Sequence, residues 1–165
     1  MIELRDATEE DLDFVIACQS DPDAAPYIAQ PSREQLRGEI AAADTELLLI
    51  SEDGEPIGFA LVGGLTSPHD SVEIRRMAVT RRGEGVGRRA LAALVDRAFE
   101  RHGAHRVWLD VITDNERAQR AYEAVGFVRE GVLREAWRKG ERRESLVVMS
   151  ILAPEWSARP APGER

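Results

Sequence analysis

The residues best placed to do chemistry lie in one run. Met77-Ala78-Val79-Thr80 passes without slack into Arg81-Arg82-Gly83-Glu84-Gly85-Val86-Gly87-Arg88-Arg89. This reads as a strand end, a glycine-rich turn and the start of an amphipathic helix. Glycines at 83, 85 and 87 free the backbone to take positive φ angles and let a ligand approach closely. A helix starting there directs unpaired N–H groups and a positive dipole end into the turn. The junction is therefore an anion site, and a diphosphate fits it well. It is not a Walker A loop, because no Lys-Ser/Thr pair follows Gly87, nor a dinucleotide fingerprint, whose glycines are spaced G-x-G-x-x-G. The plainer reading is a tight turn that needs glycine for geometry alone.

A second run, Asn115-Glu116-Arg117-Ala118-Gln119-Arg120-Ala121-Tyr122-Glu123-Ala124-Val125-Gly126-Phe127, follows an alternating strand. Taken alone, Asn115 is a helix N-cap and Tyr122 a helix residue packing on a sheet. Taken together, Arg82-x-x-Gly85-x-Gly87 after Met77-Ala78-Val79, then Asn115-x-x-Ala118-x-x-x-Tyr122-x-x-x-Gly126-Phe127, resemble the two hallmarks of the GNAT acetyltransferase superfamily.

The resemblance implies acetyl-CoA as co-substrate. The main chain of Met77, Ala78 and Val79 would bond the pantetheine arm as though it were an added strand. Amides of Arg82, Gly83, Gly85, Val86, Gly87 and Arg88 would wrap the pyrophosphate. Asn115 would contact the cofactor arm or the open edge of the strand at 106–112, and Tyr122 would sit beside the sulfur. It also implies that the two central strands part to make a slot for the thioester.

The chemistry such a site needs is clear. An alkylammonium group, with a reference pKa near ~10.4, attacks a thioester only after losing a proton, so a base must be at hand. The carbonyl oxygen then gains negative charge, which a freed strand N–H can stabilise. The departing thiolate needs a proton or a strong hydrogen bond, and a phenol such as Tyr122 supplies either. No metal and no covalent enzyme intermediate is required. Glu73 is the candidate base: it lies four residues before Met77, so strand alternation places it on the face of Met77 and Val79. Glu73-Ile74-x-x-Met77-Ala78-Val79 also resembles the pattern of histone-type GNAT enzymes. Pairing with Arg75 or Arg106 is the plainer role for Glu73, and a water chain the other route for the proton.

Elements that would position these groups follow in order. Ile2 and Leu4 mark a short opening strand. Thr8-Glu9-Glu10-Asp11 and Ser32-Arg33-Glu34-Gln35 are capping boxes that open two short helices, with an unperiodic loop from Ser20 to Pro31 between them. Strands are expected over 46–52 and 57–62, joined at Asp53-Gly54, and over 71–79. A helix with one apolar stripe (Ala90, Leu91, Leu94, Val95, Ala98, Phe99) runs from Val86 to His102-Gly103. A strand at 106–112, a helix through Ala124 and a closing hairpin around Lys139-Gly140 complete the chain. The order β-α-α-β-β-β-α-β-α-β-β is an α/β (α+β) pattern and matches the GNAT order. It implies a mixed, mostly antiparallel sheet of about seven strands, splayed between the fourth and fifth, with about four helices. Residues 1–153 read as a single acetyltransferase domain and 154–165 as a flexible tail.

Composition narrows the partners. The 165 residues carry a net charge of −8, which argues against nucleic acid or an anionic membrane as partner. Against that background, residues 75–89 hold six arginines and one acid, a basic island that suits a polyphosphate. Cys18 is the only cysteine, so neither an intrachain disulfide nor a cysteine-only metal site is possible; a small buried hydrophobe is its simplest role. His102 and His105 read as capping or surface residues. No signal segment or membrane-length apolar run occurs, so a cytoplasmic protein is expected, as monomer or homodimer.

Gly131-Val132-Leu133-Arg134-Glu135-Ala136-Trp137, with Gly140 and Met149, is similar to the ribosomal-protein N-terminal and diamine acetyltransferase branches. The resemblance implies an acceptor that is an amine-bearing small molecule, polyamine or protein N-terminus. It would be held by 8–42 and 131–146, with transfer by direct attack in a ternary complex. The alternative is a catalytically silent module that binds or senses acyl-CoA.

Overall fold

The computed structural model describes residues 1–159. The expected order of elements is present: β1 (Ile2–Asp6), α1 (Leu12–Gln19), α2 (Arg33–Ala41), β2 (Thr45–Glu52), β3 (Glu55–Gly63), β4 (Ser71–Val79), α3 (Val86–Glu100), β5 (Arg106–Ile112), α4 (Glu116–Val125), β6 (Val128–Lys139) and β7 (Arg142–Leu152). The strands form one seven-stranded sheet, ordered β1-β2-β3-β4-β5-β7-β6. Only the β4–β5 pairing is parallel; the others are antiparallel.

Both capping boxes form. The Thr8 N–H donates to Asp11 Oδ2 at 2.8 Å and Asp11 holds Arg5, starting a 3-10 turn at Glu9–Asp11 that leads into α1. Gln35 N–H donates to Ser32 Oγ and Ser32 N–H to Gln35 Oε1, opening α2.

Two apolar cores sandwich the sheet. The larger packs α3 and α4 on one face, with Leu91, Leu94, Val107, Leu109 and Met149 at its centre. The smaller lies under α1 and α2, around Leu12, Leu36 and Phe59. Their amphipathic stripes turn inward because burial of apolar area is the dominant favourable term.

The tail from Pro154, read as frayed or loosely docked, is docked over its first residues. Ala153–Ser157 form a short helix, α5. Trp156 anchors it: its indole N–H donates to Asp96 Oδ1 at 2.6 Å, and its ring centroid lies 6.2 Å from that of Phe99. Residues 160–165 lie outside the described residues.

One glycine in β3 sets how closely β3 and β4 approach. A Cβ built on Gly58 would stand 2.2 Å from the Ala78 carbonyl oxygen, a backbone atom that cannot swing away. Gly58 faces Val79 in the ladder, so it fixes the end of β4. Gly58→Ala is expected to destabilise the fold by about 1–3 kcal/mol, the usual range for overpacking. It should also weaken binding of coenzyme A; calorimetric melting and titration of the same variant check both.

Candidate active site

The pairing of β4 with β5 stops early. Ser71, Val72 and Glu73 face Arg106, Val107 and Trp108, and no further pair forms. β4 runs on to Val79, held on its outer side by β3, and β5 runs on to Ile112, held on its outer side by β7. Between them opens a cavity of about 530 Å³, lined by Met77, Ala78, Val79, Gly87, Asp110 and Tyr122 among others. The inner edges of both strands carry main-chain groups with no partner strand, which is the opening an extended ligand arm can fill.

The glycine-rich turn closes one end. Gly83, Glu84 and Gly85 all have positive φ, at 85°, 50° and 68°. Glu84 is the strained member, since left-handed backbone costs a non-glycine residue about 1 kcal/mol or more. Gly85 is the N-cap of α3. The Val86 N–H is already taken by the Gly83 carbonyl at 3.1 Å, so Val86 has no free amide for a phosphate, contrary to the expectation. The amides of Gly87 and Arg88 have no acceptor among the described residues. They sit at the second and third helical positions, where the dipole favours an anion. A Cβ on Gly87 would meet nothing within 4 Å, so the fold leaves that space for something else.

The basic island is largely neutralised. Arg81 and Arg89 both hold Glu52, at 2.9 and 2.5 Å. Arg82 bridges to Asp21 and Asp23 in the loop after α1. Arg75 pairs with Glu73 and Asp44, and Arg76 makes two hydrogen bonds to Glu39 on α2. Arg88 alone of the four arginines flanking the turn has no carboxylate partner among the described residues. Main-chain N–H groups, more than side-chain charge, are thus what the turn offers a diphosphate.

Glu73 does not lie where alternation puts it. In the β3–β4 ladder Leu61 faces Arg76 while Val62 faces Ile74, so Arg75 is an extra residue, a β-bulge. The bulge shifts the side-chain parity. Val72 and Ile74 share the larger core with Met77 and Val79, whereas Glu73 falls on the opposite face with Ala78. Its carboxylate accepts from Arg75 Nε at 3.0 Å.

A carboxylate not singled out from the sequence lines the cavity, where Glu73 does not. Asp110 lies midway along β5, lines the cavity and is half-buried. Burial, and then the charge of Glu73, push its carboxyl above the usual range. It is on the Glu73 face of the sheet, because Trp108 pairs with Glu73 and Asp110 follows two residues later. Its one sequence signal is an acid set among the alternating apolar residues Val107, Leu109 and Val111 just before the Asn115 run. That signal reads equally as an outward polar residue.

Tyr122 reaches the cavity from α4, on the other face. Its ring packs 6.2 Å from Phe127. Burial, with Asp110 adding, pushes the phenol up to about 12, so at neutral pH it always keeps its proton to donate. Asn115 caps α4, its Oδ1 accepting from the Ala118 N–H at 3.2 Å, while it also lines the cavity. Cys18 lines the cavity as well, but burial and then Asp21 hold its thiol at about 11, too high for a nucleophile. His102 is bound to Glu46 at 2.9 Å, away from the slot. Among the described residues no group of acids, cysteines and histidines could hold a metal ion.

Another part of the cavity wall comes from the loop after α1 and the closing hairpin. Tyr27 and Trp137 both line the cavity. Lys139 ties the two walls by donating to the Ala25 carbonyl and lies 5.6 Å from the Trp137 ring.

A slot between parted strands, a helix-capping anion turn at one end and a carboxylate and phenol across the middle define a protein that binds an acyl-nucleotide thioester. Comparison with known proteins agrees: residues 9–127 match the acetyltransferase (GNAT) family, and the chain belongs to that family, as an N-acetyltransferase that uses acetyl-CoA. It is 34% identical over 103 residues to the N-alpha-acetyltransferase RimI of Mycobacterium tuberculosis, covering 61% of this chain and 63% of that one. It is 27% identical over 137 residues to the spermidine N(1)-acetyltransferase of Vibrio cholerae, covering 81% and 79%. The fold is that of the Vibrio cholerae spermidine N-acetyltransferase crystallised with CoA and spermine: the TM-score is 0.83 at 22% identity, covering 94% of this chain and 98% of that one. No helix among the described residues is long and apolar enough to cross a membrane.

The empty space beside Gly87 gives a clean separation of ligand binding from folding. Gly87→Val is expected to leave the melting temperature within a few degrees, because a Cβ at this position has no neighbour within 4 Å to displace. Coenzyme A affinity should fall at least about tenfold, since the branched side chain fills the approach to the Gly87 and Arg88 amides. Isothermal titration and a melting curve on the same variant measure both; unchanged affinity would contradict the assignment.

Proposed function

We propose that the chain transfers an acetyl group from acetyl-CoA to a primary amine by direct attack, with Asp110 as the base and Tyr122 as the donor to sulfur. The observation that carries this is their placement on opposite faces of one slot. Asp110 lines the cavity on the Glu73 face of the sheet, and we place the acceptor on that side, with Tyr27 and Trp137 in the same cavity wall. Tyr122 comes from the helix side, beside the cofactor turn.

The thioester supplies the activated carbonyl; the protein supplies position and protons. Asp110 accepts the ammonium proton, directly or through one water, and its raised pKa makes it a stronger base than an exposed aspartate. An N–H on the freed edge of β4, among Met77–Val79, stabilises the negative charge that develops on the carbonyl oxygen. Tyr122 donates a hydrogen bond to the leaving sulfur. With its pKa near 12, full transfer of its proton to a thiolate of pKa ~8.5 would be uphill, so its role is donation rather than early ionisation. Glu73 adds to the raised pKa of Asp110 while it stays paired with Arg75. Asn115 and the amides of Gly87 and Arg88 hold the cofactor arm and diphosphate; Arg82 and Gly83 shape the turn.

An α-amine fits this acceptor side better than a polyamine. Two of the carboxylates that line the cavity, Asp21 and Asp23, are engaged by Arg82, and Glu144 is engaged by Arg142. An α-amine also has a reference pKa of only about 7.7–8.0, within easier reach of an aspartate. The similarity to RimI points the same way.

Steady-state thiol release against peptides with free N-termini and against a polyamine tests the reading. Peptides are expected to show kcat/KM at least about tenfold higher. With the best acceptor, Asp110→Asn should lower kcat by about 10²–10⁴. The residual rate should climb with pH as free amine appears. The wild-type acid limb should lie above the ~3.9 of an ordinary aspartate, because a base with a raised pKa ionises later as pH rises. Tyr122→Phe should lower kcat about tenfold or more with little change in acetyl-CoA affinity. No thiol release with any amine, despite tight coenzyme A binding, would instead mark a silent acyl-CoA module.

A further inference from the structure

The β6–β7 hairpin is basic at its tip. Trp137, Arg138 and Lys139 face Glu144, Arg143 and Arg142 across a regular ladder. Two neighbouring pairs, Arg138 with Arg143 and Lys139 with Arg142, therefore set like charges directly opposite, which destabilises a sheet. A local rule broken twice in succession is expected where function keeps the residues in place.

Elsewhere the chain matches its charges. From Arg5 to Arg120, every arginine except Arg88 and Arg117 has a carboxylate partner among the described residues. In the hairpin only Arg142 does, in Glu144 at 2.8 Å. Arg138 is held by the Gly140 carbonyl alone and Lys139 by the Ala25 carbonyl, while Arg143 has no carboxylate partner among the described residues. Arg138, Arg142 and Arg143 are all exposed.

This tip adjoins the slot. Trp137, one residue before Arg138, lines the cavity together with Leu146. Lys139 bonds the loop after α1, which lines it too. An acidic polypeptide is repelled by a body of net charge −8 and drawn to the basic tip, so charge both selects and orients it. Nucleic acid fits less well, because it offers no aliphatic amine to the slot.

We infer that the hairpin tip, with Arg138 and Arg143 at its centre, docks an acidic stretch of the acceptor polypeptide a few residues beyond its amine. This rests on the reading above that the acceptor is a protein N-terminus.

Peptides with one common N-terminal pair, followed by acidic, neutral or basic residues, test it. Thiol release and direct titration into coenzyme A-saturated protein are the two readouts. The acidic peptide is expected to show kcat/KM at least about tenfold above the neutral one, with the basic peptide lowest. The difference should lie in KM and shrink at raised salt. Arg138→Glu with Arg143→Glu should bring the acidic-to-neutral ratio to about one or below; Arg138→Lys with Arg143→Lys should keep it above one. Coenzyme A affinity and a melting curve check the fold of each variant. Equal wild-type values for acidic and neutral peptides, or a ratio that survives the double reversal, would overturn the inference. So would tighter binding of a single-stranded oligonucleotide of the same charge. Charge-dependent peptide binding with no turnover of any peptide would overturn the N-terminal reading and leave the docking surface for acidic polypeptide standing.

Discussion

Parallel pairing between β4 and β5 ends after Glu73 and Trp108, and the site depends on that ending. Two strands that part would normally collapse or twist together, since unpaired main-chain groups are costly when dry. Here each arm is held open from outside. β3 pairs β4 up to Val79, and β7, inserted between β5 and β6, pairs β5 along its whole length. Larger-core residues on both arms, Ile74 on β4 and Leu109 and Val111 on β5, keep the arms from rotating. The opening is thus a rigid feature of the sheet, and its polar edges are left for water or for a ligand with amide groups.

The same geometry would separate the two proposed proton tasks. A sheet has two faces, and residues two apart share one. Asp110 and Glu73 lie on the face of the smaller core, while Tyr122 comes from α4 on the other. A group seated in the gap is open to attack from one side and to donation from the other. Burial raises both pKa values, and in the proposed roles the effect is opposite in use: the carboxylate would be a better base, the phenol a more persistent donor. The arginines around the turn are ordered by carboxylates from distant parts of the chain, which keeps a locally basic segment rigid on an acidic protein.

Much of this was legible in the sequence, and what was not had specific causes. Capping boxes, the Asp53-Gly54 turn and the apolar stripe of α3 carry local signals, so the order of elements could be read in advance. The splay and the identity of the slot came from the likeness of two motifs to a known family. Strand parity failed at Glu73 because a bulge at Arg75 leaves no sequence mark; nothing in Glu73-Ile74-Arg75-Arg76-Met77 says that one residue is extra. Asp110 was invisible because one acid in an alternating strand looks like a solvent-facing residue until the neighbouring strand departs. The neutralisation of Arg81, Arg82 and Arg89 depends on partners 29 to 61 residues away, beyond any local pattern. Trp156, in a proline-rich end, shows docking only once Asp96 and Phe99 are seen beside it.

The central claim is that the unpaired inner edge of β4 and the first amides of α3 are the surfaces that hold coenzyme A. Amide hydrogen exchange with and without coenzyme A measures this directly, residue by residue. Strong added protection is expected at Met77 and Val79 and at Gly87–Arg88, with Ala78, on the β3 side of the ladder, and Val86, already bonded to Gly83, changing little. Saturating coenzyme A that leaves the amides of β4 and α3 exchanging as before would contradict it.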